Sequence, residues 1–241
     1  MISSLKTVIR KEQFEPGIIG LVINPFYIAR KALLGSIKEL GDNISGKTLD
    51  VGCGTKPYEK YFKSSEYIGL EIETTVHREV SKADFFYDGT KFPFNNNEFD
   101  SIVTNQVFEH VFNPDSFLNE INRVLKKNGI LLLTVPFVWD EHEQPYDFAR
   151  YSSFGIKSVL EKNGFEIIAH RKTVTNFGVI IQLINGYIYK MTVRNSLIRQ
   201  IVTVLVMFPL SILGIILSKI LPSNKDLYLD NIILAKKVND L

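Results

Sequence analysis

The chain has 241 residues, of which 45% are hydrophobic and 22% are charged, and its formal net charge is +2. These proportions exclude a chain that is disordered throughout, and the near-neutral charge argues against a general nucleic-acid binder. A single cysteine, Cys53, excludes an intrachain disulfide and a site built from several cysteines, and we predict no metal site. No signal-peptide pattern precedes residue 11, so we expect a cytoplasmic protein.

The first part of the chain predicts an apolar helical segment followed by short buried strands. We assign residues 1–45 to an N-terminal helical entry or lid segment, which is apolar over residues 16–40 and ends in a turn-rich run at 41–46. Runs rich in β-branched, aromatic and aliphatic residues, bounded by turn residues, then predict four strands. These strands cover residues 48–51, 67–72, 83–87 and 99–104.

The second half of the pattern adds two helices and three strands. Apolar residues at 117, 118, 121, 124 and 125 mark a helix that we expect to begin at Pro114 and to end at Asn128-Gly129. A second helix around 156–160 separates strands at 130–135 and 165–169, and a last strand covers 231–235. The alternation predicts a Rossmann-like, doubly wound α/β sheet of seven strands, mostly parallel, with an antiparallel last strand.

The segment between the last two predicted strands differs in composition from the rest. Residues 167–225 contain no aspartate or glutamate but seven lysines and arginines, and residues 200–218 are uncharged and mostly aliphatic. We therefore divide the remaining chain into a core at 46–174, an apolar helical insertion at 175–223 and a final core strand at 224–241.

Three interpretations compete for this insertion. A single transmembrane span would place the last two strands on opposite sides of the bilayer, and we reject it because such strands normally pair. A helical hairpin on or in one membrane face, through residues 177–221, fits the missing acids and the flanking basic residues. A homodimer interface, or a lid over the core, is the alternative, because large apolar patches also mark such contacts.

Acidic residues at strand ends and a glycine-rich turn predict a nucleoside-binding edge. Gly52 and Gly54 follow the first strand, and glycines there let the backbone approach a ligand that the amides of a following helix face. Glu71 ends the second strand, where an acid can accept both ribose hydroxyls. Asp88 ends the third strand and can accept a hydrogen bond from an adenine amine. Each residue alone also fits an ordinary turn or strand end, so the prediction rests on their combination.

Six motifs follow one another between residues 46 and 169. They are Leu49-Asp-Val-Gly-Cys-Gly, Tyr67-Ile-Gly-Leu-Glu-Ile, Asp88-Gly with Phe92-Pro-Phe, Glu98-Phe-Asp-Ser-Ile-Val, Val107-Phe-Glu-His-Val and Glu120-Ile-Asn-Arg-Val-Leu-Lys-Lys-Asn-Gly. In this order they resemble a class I S-adenosylmethionine-dependent methyltransferase of the type 11 subgroup. The pattern His…Pro-Tyr-Asp-Phe…Arg-Tyr that begins at His142 is similar to methyltransferases found among bacterial surface-polysaccharide genes.

This resemblance implies S-adenosylmethionine as the cofactor and a set of residues that bind it. The set is Asp50, Gly52, Cys53, Gly54, Glu71, Asp88, Gly89 and Asn105. Within it, Asp50 supports the ammonium group through water, and Asn105 offers its carbonyl to the same end of the cofactor. Glu71 binds the ribose, whereas Asp88 and Gly89 contact the adenine.

The loop after the fifth strand is the predicted acceptor site, because ligands of open α/β sheets lie outside the carboxyl ends of the strands. His142 is the first candidate for a general base and Asp147 is the second. Tyr146 and Arg150 are candidates for binding the acceptor, Arg150 through an anionic group. The Glu109-His110 pair is read as the opening of a helix beside the cofactor, with a catalytic histidine as the alternative.

We predict methyl transfer to an oxygen or nitrogen of a small-molecule or glycan acceptor, lipid-linked acceptors included, in the cytoplasm or at the inner face of the membrane. Two alternatives stay open. A nucleotide-cofactor oxidoreductase is disfavoured by Lys56-Pro57, which stands where a dinucleotide fingerprint has its third glycine, and by the antiparallel last strand that we expect. A catalytically silent, membrane-associated binding module would keep the fold without the reaction.

Overall fold

A seven-stranded sheet, with strand order β3-β2-β1-β4-β5-β7-β6, organises the chain. The computed structural model describes residues 2–240, and it describes side chains for residues 7–75 and 78–240. The strands are β1 (Ser45–Val51), β2 (Lys63–Ile72), β3 (Phe85–Tyr87), β4 (Phe99–Asn105), β5 (Leu125–Pro136), β6 (Phe165–Lys172) and β7 (Asp230–Lys237). The α-helices are α1 (Ile2–Phe14), α2 (Ile18–Ile23), α3 (Tyr27–Gly41), α4 (Thr75–Val80), α5 (Pro114–Val124), α6 (Ser153–Lys162), α7 (Gly178–Thr192), α8 (Ser196–Val202) and α9 (Phe208–Ile220).

The directions of the strands confirm the predicted fold class. β1 pairs in parallel with β2 and β4, β2 pairs in parallel with β3, and β4 pairs in parallel with β5. The Thr173 amide donates to the Asp230 carbonyl over 3.0 Å and the Val238 amide donates to the Gly164 carbonyl over 2.9 Å. Residue numbers thus rise along β6 while they fall along β7, so these last strands are antiparallel.

The core of the sheet lies where the predicted apolar runs are. Leu49, Ile102, Leu131 and Leu133 are fully buried along β1, β4 and β5. Helix α5 packs its apolar stripe on the same cluster, as its period of 3.6 residues predicts. The side chain of Asn113 caps its first turn by accepting a hydrogen bond from the Ser116 amide.

The predicted end of α5 is wrong. The helix ends at Val124, and Leu125 is already extended, with φ −78° and ψ 134°. Asn128 and Gly129, the predicted helix stop, lie inside β5, where Asn128 has φ 65°. The register between β4 and β5 shifts at this point, so the two turn residues form an irregularity in the strand. Sequence periodicity included Leu125 in the helix because a buried strand residue and a buried helix residue look alike over one position.

The helix expected after the glycine-rich turn is also absent. Among the described residues between β1 and β2, the structure has one short 3₁₀ turn at Glu59–Tyr61. Lys56 has φ 53°, and Pro57 follows it without an amide hydrogen to donate. Within the described residues 52–62, no α-helix begins after the glycine-rich turn.

The chain divides into two compact units. The sheet unit consists of residues 37–137, 141–171 and 231–240. The apolar unit consists of residues 2–36, 138–140 and 172–230, and it contains both the N-terminal helices and the insertion. Gln182 on α7 connects these two parts of the apolar unit, because it accepts from the Ala29 amide over 3.1 Å and donates to the Pro25 carbonyl over 3.1 Å.

The insertion is a helical hairpin within the apolar unit. After α7, a continuous helix covers Ser196–Ile220 and is long and apolar enough to cross a membrane, judged by length and composition. Pro209 lies within this helix and does not end it, and a π-helical turn at Thr203–Met207 stands directly before α9. A proline ring clashes with the carbonyl of the preceding turn, and a wider π turn relieves such a clash.

Candidate active site

The glycine-rich turn lies at the carboxyl end of β1, and the loop after β4 packs against it. The amides of Gly52 and Cys53 both donate to the Leu70 carbonyl, over 2.9 and 3.2 Å. Gly52 has φ 72°, and a Cβ added there would lie 2.3 Å from Cγ2 of Val107. A glycine is therefore required on two counts, the positive φ and the close approach of Val107. At Gly54, with φ 48°, an added Cβ would meet no atom within 4 Å, so the turn is open on that side.

Glu71 is anchored to this turn. Its side chain is buried, and Oε2 accepts from the Gly54 amide over 3.0 Å while Oε1 accepts from its neighbour Ile72 over 3.2 Å. An ionised carboxylate has about four acceptor positions on its two oxygens. The position therefore allows contact with a ligand at the end of β2 without breaking the bond to Gly54.

Asp50 is buried beneath the turn, within β1. Its Oδ2 accepts a hydrogen bond from the Tyr67 hydroxyl over 2.7 Å. Burial raises the pKa of the Asp50 carboxyl to about 7, although the Tyr67 hydroxyl and the nearby Lys56 ammonium lower it. Burial likewise raises the pKa of the Cys53 thiol, with the charges of Asp50 and Glu71 adding to the effect. The thiol therefore stays neutral, and Asp50 titrates near neutral pH.

Pro57 stands at the position of the third glycine of a dinucleotide fingerprint, and the side chain of the preceding Lys56 has a structural role. Its ammonium forms a short ion pair with Asp84, and Asp84 also accepts from the Gly69 amide over 2.7 Å. A Cβ added at Gly69 would lie 2.5 Å from Cε of Lys56, so the lysine chain crosses directly over β2. The ion pair connects the turn after β1 to the start of β3.

Asp88 and Gly89 lie exposed beyond β3. The Thr90 hydroxyl and the Thr90 amide donate to Oδ1 of Asp88, over 2.6 and 2.9 Å, and lower the pKa of this carboxyl. Gly89 has φ 88°. The carboxylate is thus ionised and lies at the same edge of the sheet as Glu71.

Asn105 ends β4, next to the glycine-rich turn along the sheet. Its Oδ1 is buried and has no hydrogen-bond partner among the described residues. Leaving a buried acceptor without a donor destabilises a protein by about 1–3 kcal/mol. We therefore expect a ligand to donate a hydrogen bond to this atom. The ammonium group of S-adenosylmethionine is such a donor. The open turn at Gly54, the Glu71 carboxylate and this acceptor together fit the cofactor.

The loop after β5 is held by an ion pair. Arg150 donates to both oxygens of Asp147, each over 2.6 Å, and the His142 amide donates to Oδ2 over 2.9 Å. Partial burial raises the pKa of Asp147, but these hydrogen bonds and charges outweigh it and lower the pKa to about 2. The arrangement argues against Asp147 as a base and against Arg150 as the group that binds an anionic acceptor.

The His142 ring lies against Asp147 and points its other nitrogen towards Glu109. Nδ1 is 3.3 Å from Oδ2 of Asp147, and Nε2 is 3.9 Å from Oε1 of Glu109. The ionised Asp147 favours a proton on Nδ1, whereas Arg150 Nη2, which can only donate, lies 3.4 Å from the same Nδ1 and favours a lone pair there. Either ring nitrogen of His142 can therefore carry the proton. The ring is held between Asp147 and Arg150 on one side and Glu109 on the other.

Sequence reasoning missed the place of Glu109 and His110 in this cluster. Both lie on a 3₁₀ turn after β4, with Glu109 fully buried. His110 Nδ1 lies 2.8 Å from the carbonyl of Tyr146, and its ring meets that of His142 edge to face at 4.8 Å. The side chain of Tyr146 itself is 65% exposed. The predicted helix is therefore one short turn, and its two polar residues lie beside His142.

Glu109, His110 and His142 are also residues that could hold a metal ion, contrary to the prediction of no metal site. Each offers one ligand atom, and these atoms lie within 4.8 Å of one another. The spacing of these residues in the sequence has no metal-binding pattern, because the loop after β5 brings His142 to the turn after β4. The group is equally suited to moving a proton, since it combines a carboxylate with two imidazoles.

A comparison with known protein families matches the part of the chain that contains this sheet edge. The family model described as a methyltransferase domain matches residues 49–133, which run from the glycine-rich turn to β5. The chain contains a class I methyltransferase domain. S-adenosylmethionine is the cofactor of this class of domain, in agreement with the fit of Glu71 and Asn105 to it.

Similar proteins support the fold of the methyltransferase domain. An uncharacterized protein of Methanocaldococcus jannaschii is 27% identical over 143 residues, which cover 54% of this chain and 69% of that protein. Phosphoethanolamine N-methyltransferase 2 of Haemonchus contortus, solved with S-adenosyl-L-methionine, has a TM-score of 0.55 and 17% identity and covers 95% of this chain and 59% of its own. A structure from Bacillus halodurans that is described as a methyltransferase has a TM-score of 0.55 and 16% identity. The match covers 86% of this chain and 99% of that one. The chain spans less than half the length of two further curated relatives.

Proposed function

We propose that the chain transfers the methyl group of S-adenosylmethionine to an oxygen or nitrogen of a small-molecule or glycan acceptor in the cytoplasm. The observation that carries this proposal is the packing of Val107 onto Gly52. Through this packing the Glu109–His110 turn, and with it His142, lies near the glycine-rich turn. The proposed cofactor edge and the proposed proton acceptor thus belong to one unit of the fold.

Residues at the strand ends hold the cofactor in this proposal. Glu71 would accept hydrogen bonds from the ribose while it keeps its bond to the Gly54 amide. Asn105 would accept from the ammonium group, and the buried Asp50 would balance its positive charge. The bound cofactor supplies a methyl group on a positively charged sulfur. Positioning supplies most of the rate, because effective molarity contributes about 7–11 kcal/mol to such displacements.

His142 acts as the base when the acceptor is a hydroxyl. Its Nε2 would take the proton of an acceptor hydroxyl, and Asp147 would stabilise the imidazolium that forms. Asp147 is itself kept ionised by Arg150, so it orients His142 and does not exchange protons at neutral pH. Such base catalysis contributes about 10²–10⁴-fold in rate.

Cofactor binding is tested at Glu71. We expect Glu71→Gln to weaken S-adenosylmethionine binding roughly 10-fold or more, because hydrogen bonds to a charged group are worth about 1.5–3 kcal/mol. Glu73→Gln is the matched control, since Glu73 is exposed and pairs with Arg78. Calorimetry gives both dissociation constants. Equal affinity of the two folded variants would remove Glu71 from the cofactor site.

Methyl transfer is tested with labelled cofactor on lipid and sugar fractions of the native cell. Once an acceptor is found, His142→Gln should lower kcat about 10²–10⁴-fold and leave cofactor affinity unchanged. His170→Gln is the control, because His170 bonds to Asn231 on a different part of the sheet. Assays with and without a chelator distinguish the base from a metal site at the same cluster. A chelator-sensitive rate would contradict the base assignment, and cofactor binding without any transfer would favour the silent binding module.

A further inference from the structure

The hairpin α7–α9 presents its large aliphatic side chains to solvent, and we propose that this surface docks on an anionic lipid bilayer. On α7 the exposed residues recur every three or four positions, as Ile180, Ile184, Tyr187 and Met191. Along the helix at Ser196–Ile220 they are Leu197, Ile201, Leu205, Leu213, Ile216 and Ile220. We call these two stripes the apolar face. This proposal goes beyond methyl transfer and does not depend on it.

The long helix exposes aliphatic side chains and buries small or polar ones, which is the opposite of a helix on the surface of a water-soluble protein. Its buried positions include the small or polar residues Thr203, Ser211 and Gly214, whereas Leu205 is 69% exposed and Ile220 is 71% exposed. Surface helices of globular proteins instead bury their apolar stripe. Small and polar residues between helices, with aliphatic residues outside, are the arrangement of helices that pack in lipid.

The contacts between α7 and α9 are close and specific, so the exposed stripes are a stable feature of the hairpin. Asn185 Nδ2 donates to the Ser211 hydroxyl over 2.9 Å, and both groups are buried. A Cβ added at Gly214 would lie 3.0 Å from three atoms of Ile181. The helices therefore cannot rotate to bury Leu205 or Ile220 without losing a buried hydrogen bond and a tight contact.

The charges select an anionic bilayer as the partner. Residues 167–225 have no acidic side chain, and seven basic residues lie among them. A second copy of the chain would bring the same basic residues face to face, which opposes dimer formation. Two of the seven form ion pairs within the chain, Arg171 with Glu39 and Lys190 with Asp140. An anionic leaflet attracts the basic residues of the hairpin, Arg194, Arg199 and Lys219 among them, and basic residues beside an inserted apolar surface are typical of interfacial helices.

The positions of these charges also determine how the hairpin lies. Lys190, Arg194 and Arg199 surround the turn between α7 and α8, and Lys219 lies in the last turn of α9. A hairpin that pointed into the bilayer would carry the first three into hydrocarbon, which is costly. α7 has 15 residues, about 22 Å, and is too short to cross a hydrocarbon layer of about 30 Å. Both ends of the hairpin return to paired residues, Thr173 and Asp230, so it lies in the plane of one leaflet.

The test is flotation of the full chain with vesicles of phosphatidylcholine alone and of phosphatidylcholine mixed with phosphatidylglycerol. We expect the chain to float with the mixed vesicles at low salt and to bind neutral vesicles more weakly. Leu197→Asp with Leu205→Asp should bind mixed vesicles about 100-fold more weakly, because each change removes a leucine from the interface and adds a repelled charge. The control carries the same charge change at exposed apolar positions of the sheet unit, Val80→Asp with Phe154→Asp, and should float like the parent.

S-adenosylmethionine affinity, measured on each variant, shows that the variant is folded and separates this test from the test of methyl transfer. The proposal is overturned if the unmodified chain stays at the bottom of the gradient with mixed vesicles. It is also overturned if the chain binds no vesicles and light scattering shows a stable dimer that is lost in the leucine variant. Equal loss of flotation in the control variant would contradict the assignment of the apolar face as the contact.

Discussion

The buried Asp50 carboxyl predicts that cofactor binding depends on pH. Burial raises the pKa of Asp50 to about 7 in the chain without ligand. A bound cofactor places an ammonium group near this carboxyl, which favours the charged form and lowers the pKa. Binding is therefore coupled to the loss of a proton, and affinity for S-adenosylmethionine rises with pH through about 7.

The size of the effect follows from the fraction of Asp50 that is ionised. With a pKa of about 7, about 1% is ionised at pH 5 and about 90% at pH 8. If the bound carboxyl titrates near the ordinary value of 3.8, the dissociation constant at pH 5 is about 90 times that at pH 8. Asp50→Asn removes this contribution and keeps every other titration, including that of the cofactor, so the difference between the two curves isolates Asp50.

Calorimetric titrations at several pH values between 5 and 8 measure this difference. Tyr67→Phe provides a second comparison, because the Tyr67 hydroxyl stabilises the Asp50 carboxylate through a 2.7 Å hydrogen bond. Without that bond the pKa of Asp50 rises further, and the increase in affinity moves to higher pH. Identical curves for the parent and Asp50→Asn would refute the reasoning, since the carboxyl would then not be coupled to the ligand.

The remaining predictions concern stability and are measured by denaturant unfolding. Gly52→Ala should destabilise the chain by about 3 kcal/mol, because it combines a positive φ with a contact to Val107 that is too short; an effect below about 1 kcal/mol would contradict that packing. Asp147 has its pKa lowered to about 2, so its contribution of about 2 kcal/mol is fully present above pH 3.8 and is lost as the pH falls through about 2. Asp147→Asn should lack this pH dependence. Gly214→Ala should cost about 1–3 kcal/mol, whereas Gly186→Ala, which meets no atom within 4 Å, should be neutral or stabilising; the opposite order would contradict the packing of the hairpin.

The sequence by itself determined the order of strands and helices and the position of the cofactor edge. Apolar runs, turn residues and the Gly-x-Gly turn are local signals, and a parallel sheet brings the ends of β1 and β2 to one edge whatever the rest of the chain does. The composition of residues 167–225 likewise marks the insertion, because a long run without acidic residues is visible in the amino-acid order alone. Local signals were weakest at boundaries, as at Val124, where one buried position fits both a helix and a strand.

Only the tertiary structure decided which side chains meet. Asp147 was a candidate base in the sequence, but its bonds with Arg150 leave it an ionised group that orients His142. Glu109 joined the site because the loop after β5 folds back onto the turn after β4, where the amides of residues 148 and 149 donate to its carbonyl. The insertion was apolar in sequence, but hydrophobicity does not say which face of a helix meets the core. That choice depends on the close packing of Gly214 and Asn185 inside the hairpin, which leaves the aliphatic face outside.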